Sequence, residues 1–291
     1  MVKRLNIIGC GNAGKALALL WRRRGLVVVQ HVLNRSLASG QRAVEFLGAG
    51  RAVGSFAELA PAELLLIAAR DEAIASCCRQ ACDAGAVTAG CTVFHLSGAL
   101  CSSVLEPARQ AGAQVASLHP VKSFAVPAVA AETFAGTFCA LEGDQPACEI
   151  LAELVRQCGG RVFSVAGELK PVYHAGTVFA CNYLVALLET AARCFELAGI
   201  DWVTASEILQ PIVHGTVENV FRLGTVEALT GPIARGELSV VTAEIDALRR
   251  SDAELARLYR ALGLVAVKLA AAAGKAPAEA LQAIAALLQS D

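Results

Sequence analysis

The feature that most constrains this chain lies at its very start. Arg4-Leu5-Asn6-Ile7-Ile8 reads as a short buried strand. It runs directly into Gly9-Cys10-Gly11-Asn12-Ala13-Gly14 and then into a helical stretch, Lys15 to Arg24. A Gly-x-Gly-x-x-Gly string alone is a weak signal, but between a strand and a helix it is specific, because each glycine then has a separate task. Gly9 makes the tight turn, Gly11 lets a diphosphate approach the backbone, and Gly14 lets the helix lie close on the strand. Unpaired amides at the positive end of a helix favour an anion. Gly9, Cys10, Gly11, Asn12, Ala13 and Gly14 are therefore expected to hold the diphosphate of a dinucleotide.

The end of the next strand, Val27 to Leu33, selects the dinucleotide. A carboxylate there would accept from a ribose 2′-hydroxyl, whereas this chain has Asn34-Arg35-Ser36 and no acid. Arg35 can pair with a 2′-phosphate, and Asn34 and Ser36 can donate to it, so NADP(H) is the expected cofactor. Ala69 and Arg70, at the end of the strand Leu64 to Ala68, complete the expected cofactor contacts.

Further strands are expected at Thr92–Leu96, Val115–Leu118, Phe138–Leu141 and Arg161–Val165, with helices such as Ala73–Ala84, Ser103–Ala111 and Pro146–Cys158 between them. Strands alternating with helices imply βαβ units, so the fold class is an α/β Rossmann domain with a mostly parallel, doubly wound sheet. The pattern changes at Gly167. After it the sequence reads as helices only: Pro171–Ala198, Ala205–Leu223, Ala243–Leu262, Leu264–Ala273 and a last one from Ala276. The expected division is a dinucleotide-binding domain over 1–166 and an all-α domain over 167–291.

Composition narrows the partners. A formal net charge of −1 gives no electrostatic case for nucleic acid or an anionic membrane surface. The eleven cysteines are scattered, several within apolar runs, and read as small buried hydrophobes in a cytoplasmic protein. No His/Cys cluster has zinc spacing, so no metal is expected. The Ala-rich end, Leu264 to Leu288, is broken by Lys268, Lys275, Pro277 and Glu279, and reads as packed helices with no membrane role.

Ligands of such a sheet sit beyond the carboxyl ends of its strands. His95-Leu96-Ser97-Gly98 and Leu118-His119-Pro120 end two of them. Ser97 and Gly98 offer a hydroxyl and a backbone N–H to a substrate carboxylate or carbonyl, and His119 is a further candidate contact. On the long helix, Lys170 and His174 are four apart and share a face, while Asn182 lies about 80° round from His174 at 100° per residue. Reduction of a carbonyl needs a group that stabilises the developing alkoxide and delivers a proton; Lys170, with His174 and Asn182 nearby, is the candidate set. Thr230-Gly231-Pro232-Ile233-Ala234-Arg235-Gly236 interrupts the helices, and Arg235 is a candidate clamp for a substrate carboxylate.

In this order, Gly9-x-Gly-x-x-Gly14, His95-Leu-Ser97-Gly98, Leu118-His119-Pro120, Lys170-Pro-Val-Tyr173-His174, Asn182-Tyr183 and Gly231-Pro-Ile-Ala-Arg235-Gly236 resemble the Rossmann-like proteins that carry a DUF2520 domain. These belong to the 6-phosphogluconate dehydrogenase-like superfamily, with its hydroxyacid dehydrogenases, ketopantoate reductases and pyrroline-5-carboxylate reductases. One branch is similar to an alternative ketopantoate reductase of pantothenate synthesis. The resemblance implies a lysine acid at Lys170, a substrate turn at Ser97 and Gly98, and a homodimer formed through the helical domain. Hydroxyacid dehydrogenases often carry asparagine where this chain has His174.

Overall fold

A computed structural model describes residues 2–290. The chain forms two compact units, 2–182 and 183–290.

The first unit runs β1 (Lys3–Ile8), α1 (Asn12–Arg23), β2 (Val27–Leu33), α2 (Leu37–Leu47), β3 (Arg51–Val53), β4 (Leu64–Ile67), α3 (Asp71–Asp83), β5 (Thr92–His95), α4 (Glu106–Gln110), β6 (Gln114–Pro120), α5 (Pro127–Glu132), β7 (Phe138–Gly143), α6 (Gln145–Gln157), β8 (Arg161–Ser164) and α7 (Lys170–Ala180). The strands form one sheet in the order β3-β2-β1-β4-β5-β6-β7-β8. Five neighbouring pairs from β3 to β6 are parallel, β7 runs antiparallel to β6, and β8 is parallel to β7. The order reverses between β1 and β4, which opens a crevice at their carboxyl ends.

The central strands are apolar on both faces because helices cover both. Every residue of β4, Leu64-Leu65-Leu66-Ile67, is buried. On one face Leu17 and Trp21 of α1 and Leu151 and Val155 of α6 pack on the sheet, with Trp21 against Phe94 at 6.1 Å between ring centres. On the other, Ile74 and Cys78 of α3 and Ala108 of α4 cover Leu65, Ile67 and Val93. All eleven cysteines are free thiols.

The sequence changes character at 167, but the first helix beyond it belongs with the sheet. Lys170 is buried among residues of β5 and β6, and Tyr173 packs against Phe163 of β8 at 5.9 Å. The single helix expected from Pro171 to Ala198 is interrupted. Cys181, at φ −118° and ψ −62°, separates α7 from α8 (Asn182–Leu197).

The second unit continues with α9 (Trp202–Leu223), α10 (Thr225–Ala228), α11 (Pro232–Arg235), α12 (Leu238–Ser251), α13 (Ala253–Ala273) and α14 (Ala278–Gln289). Its core is Ile233, Val241, Ile245, Ala270, Leu281, Ile284 and Leu288. The expected break between Leu262 and Leu264 falls instead at Asp252. There the carboxylate accepts from the amides of Glu254 and Leu255 and caps a new helix, which then runs unbroken through Gly263. Among the described residues, the stretch 167–197 is long and apolar enough by composition to cross a membrane.

Candidate active site

The glycine loop folds as its spacing requires. Gly9 has φ +78°, and a β-carbon on it would lie 2.7 Å from both the Cα and the N of Ala69, so β1 and β4 leave room for no side chain there. A β-carbon on Gly14 would lie 3.0 Å from Ala68 Cβ, the close helix–strand approach. One on Gly11, by contrast, would meet nothing within 4 Å. Space lies open above the N-terminus of α1, whose first residue is the exposed Asn12.

Two of the expected cofactor contacts are already committed within the chain. Asn34 accepts from the Cys10 amide at 2.7 Å, and its Nδ2 donates to the Ser39 carbonyl and hydroxyl at 3.1 and 3.2 Å. Asn34 therefore ties the glycine loop to α2, and neither its amide nor the Cys10 N–H is free to hold a phosphate. The Cys10 thiol is buried and pushed up to about 12 by desolvation. Ser36 caps α2 by accepting from Ser39, which leaves its hydroxyl hydrogen uncommitted. Arg35 is exposed, with no ion-pair partner among the described residues, and Arg70 is exposed at the start of α3.

The second cluster forms around the turn after β5. His95 is fully buried. Its Nδ1 accepts from the Ser97 amide at 3.1 Å and its Nε2 lies 3.3 Å from the Cys101 carbonyl, which fixes the proton on Nε2. Burial, and then the Lys170 charge, push His95 down to about 4, so the ring is a neutral brace for the turn.

The Ser97 hydroxyl, expected to face substrate, is used inside the turn. It donates to Asp71 at 2.7 Å and accepts from the amides of Ala99 and Leu100. The Gly98 amide, in contrast, has no hydrogen-bond partner among the described residues.

Lys170 comes to the same turn from α7. Its ammonium donates to the Ser97 carbonyl at 3.0 Å and to the Ser117 hydroxyl on β6, and the side chain is buried. Burial lowers its pKa, opposed by the carboxylates of Glu142 and Asp71. Two of its three N–H groups are accounted for, which leaves one. Ser117 was not expected as a site residue. A hydroxyl in the middle of the buried strand Val115-Ala116-Ser117-Leu118 was the available signal, since such a group needs a partner.

Two histidines cover Gly98. A β-carbon there would lie 2.4 Å from His174 Nδ1 and 2.8 Å from His119 Nε2, so glycine is what allows both rings to close on the turn. The rings meet edge to face at 5.5 Å. His119 Nδ1 lies 2.7 Å from the Tyr173 hydroxyl. Burial, then His174 and Lys170, push His119 down to about 4, and burial pushes Tyr173 up to about 12. Thr177 donates its one hydrogen to the His174 carbonyl at 2.8 Å, so its oxygen accepts from His174 Nδ1 at 3.2 Å.

Lys170, His174, His119, Ser97 and Gly98, far apart in sequence, are thus brought together. Asn182, in the same unit, is not in this cluster. Asn182 lies past the break at Cys181, is exposed, and its side chain makes no hydrogen bond among the described residues; the angular reading that set it about 80° round from His174 assumed an unbroken helix. The Arg235 guanidinium, in the helical unit, donates from Nε and Nη2 to the two oxygens of Glu237 at 2.8 Å, and its end-on pair of Nη hydrogens has no such bond among the described residues. Among the described residues no group of three or more His, Cys, Asp or Glu is placed to hold a metal ion.

The sheet order and the glycine loop define a doubly wound α/β chain of the dinucleotide-binding fold, followed by a helical unit. The family models give the same composition: a Rossmann-like domain matches residues 2–120, and DUF2520, a domain of unknown function, matches 137–266. The chain is built of a Rossmann-like domain and a DUF2520 domain.

Three solved structures share the fold. A Bacteroides fragilis protein assigned as an NADP oxidoreductase is 21% identical, with TM-score 0.76, covering 90% of this chain and 96% of its own. A Thermotoga maritima protein is 24% identical, with TM-score 0.71, covering 92% and 98%. The reductive aminase of Aspergillus terreus, solved with NADPH and ethyl-5-oxohexanoate, is 16% identical, with TM-score 0.60, covering 99% and 93%. No curated protein matches the chain.

Proposed function

We propose that this chain is an NADPH-dependent reductase of a small 2-oxo acid, and that 2-dehydropantoate is its substrate. The observation that carries the reading is the buried Lys170 ammonium, docked on the Ser97 carbonyl and Ser117 beside two histidines at the carboxyl ends of β5 and β6. A buried cation with one uncommitted N–H, its pKa lowered by desolvation, is a competent proton donor to a developing alkoxide. The Gly98 amide, without a partner among the described residues, is a donor available to a carboxylate or carbonyl oxygen, with the His119 ring beside it.

The residues of the glycine loop fit the cofactor. Gly11 leaves the N-terminus of α1 open, and the unpaired Arg35 with the Ser36 hydroxyl suits a 2′-phosphate. When bound, NADPH supplies the hydride. The chain's own residues hold the substrate oxygens and keep a proton ready at Lys170 Nζ.

The test is oxidation of NADPH with 2-dehydropantoate, followed at 340 nm beside a panel of 3-oxo acids and cyclic imines. Turnover of the 2-oxo acid is expected, with kcat reduced about a hundredfold or more in Lys170→Met. No turnover by the parent protein would remove the substrate assignment, and unchanged kcat in the variant would remove the role of Lys170. Imine reduction is the second reading, favoured by the likeness to the Aspergillus terreus aminase complex. Replacing Arg35 with Ser is expected to weaken NADPH more than NADH, by about tenfold or more; equal weakening would argue against a 2′-phosphate contact.

A homodimer formed through the helical unit belongs to the same proposal. Val185 of α8 and Trp202, Val203, Ile212 and Phe221 of α9 are exposed, and apolar surface on that scale favours a partner. Sedimentation equilibrium giving a monomer at micromolar concentration would oppose it. A cytoplasmic location is proposed with it.

A further inference from the structure

We propose that Ser117 is a positioning residue for Lys170: its hydroxyl oxygen and the Ser97 carbonyl form a pair of neutral acceptors that pins the ammonium and leaves one N–H for the substrate. The inference rests on the reductase reading for its substrate, but not for the cradle itself.

One row of side chains crosses the sheet in register from β2 to β7: Leu33, Ile8, Ile67, His95, Ser117 and Glu142. The first three are apolar and buried, as a sheet covered on both faces requires. The last three are polar, and the change falls where Lys170 enters from α7. His95 and Glu142 are spent on the turn after β5. His95 bonds the Ser97 amide and the Cys101 carbonyl, and Glu142 accepts from the amide and hydroxyl of Ser102. Ser117, fully buried, is the member of the row that bonds Lys170.

An ammonium has three hydrogens and no lone pair. Ser117 can therefore only accept from it, and the hydroxyl's own hydrogen goes to the Ser97 carbonyl at 3.3 Å. That carbonyl also accepts from Lys170 at 3.0 Å, which uses its second lone pair. The three groups close a triangle. Two N–H directions and the Cε–Nζ bond are then fixed, and a tetrahedral nitrogen has one direction left.

Both acceptors are neutral. The carboxylates that face Lys170, Glu142 of β7 and Asp71 of α3, are bonded to Ser102 and to Ser97. The other titratable groups around it are the Cys101 thiol, the neutral rings of His95 on β5 and His119 on β6, and His174 one turn along α7. A carboxylate in contact would hold the proton back. Neutral acceptors stabilise the ammonium against burial and still let it give a proton to an alkoxide, after which the lone pair stays on Nζ along the same direction.

The experiment uses the full chain with carbon-13 at the lysine ε-carbon, the Lys170 signal being assigned by its loss in Lys170→Met. In Ser117→Ala the midpoint of its titration is expected about one pH unit below that of the parent protein, because the charged form loses an acceptor. With a turned-over 2-oxo acid, the alkaline limb of kcat should move down with that midpoint. On its plateau kcat should fall about tenfold, with KM and the Kd for NADPH near the parent values. Ser117→Cys, close in shape and a poorer acceptor, should fall between the two, and it carries the same test should the alanine variant not fold. A parent-like Lys170 midpoint in the folded variants, or a loss of kcat with the limb unmoved, overturns the proposal. Absence of any turnover by the parent protein overturns the reductase reading instead, and the lysine midpoint still decides the role of Ser117.

Discussion

The two ends of the crevice are built on different principles. At the leading strand, the cofactor end is a backbone device: six consecutive residues, three of them glycine, turn the chain and expose the start of a helix. At β5 and β6, the end we propose for the substrate is a side-chain device assembled from segments 71, 95–98, 117–119 and 170–177. At Gly9 the first has room for no side chain, because its neighbours there are main chain. The second is held by hydrogen bonds between side chains, and its rings can shift at some cost.

The same substitution made at each end should separate the two. Gly9→Ala carries the largest expected effect. It puts a side chain at φ +78° and 2.7 Å from the Ala69 backbone, which cannot yield cheaply. A loss of about 3 kcal/mol or more of folding stability is expected, together with NADPH binding, read by urea unfolding and cofactor titration. Gly98→Ala presses instead on two ring edges, His174 Nδ1 and His119 Nε2. Here kcat/KM should fall about ten- to a hundredfold while the NADPH Kd and the unfolding midpoint stay near the parent values. If both variants lost cofactor binding alike, the contrast between a backbone end and a side-chain end would be wrong.

The smallest effect concerns the brace beneath the turn. His95 is neutral in the fold, its pKa about 4, while the unfolded chain has a histidine of ordinary pKa near 6.5. Between those values the unfolded state binds the proton and the folded state does not. Stability is therefore fully present above about pH 6.5 and falls as pH drops toward 4, by at most about 1.4 kcal/mol per pH unit from this group. His119 is lowered in the same direction and adds to the slope. His95→Asn keeps an acceptor near Nδ1 but cannot titrate, so its stability should depend less steeply on pH between 6.5 and 4.5. Identical slopes in urea unfolding would contradict this.

The shape of the glycine loop was legible residue by residue, because its requirements are local. A turn, an open face and a close helix contact each name glycine at one position. Even there, Asn34 escaped. Its position predicted a phosphate donor, but the amide spans from the Cys10 N–H to Ser39, and that pairing exists only once β1 and β2 lie side by side.

At the substrate end the sequence named Lys170, His174, His119, Ser97 and Gly98 but not their division of labour. The Ser97 hydroxyl turned inward to Asp71, and its carbonyl, which no motif advertises, became the partner of Lys170. Asn182 was misplaced by assuming that α7 and α8 were one helix. The break at Cys181 has no proline or glycine to announce it.

The sequence by itself determined the doubly wound sheet, the glycine loop and the all-helical second half, since these follow from periodicity and from backbone geometry acting over a few residues. Only the tertiary structure decided which polar atoms are consumed by the fold and which are left for a ligand. Hydrogen bonds are satisfied between segments as far apart as Ser97 and Lys170, and a donor's availability depends on where every competing acceptor comes to rest.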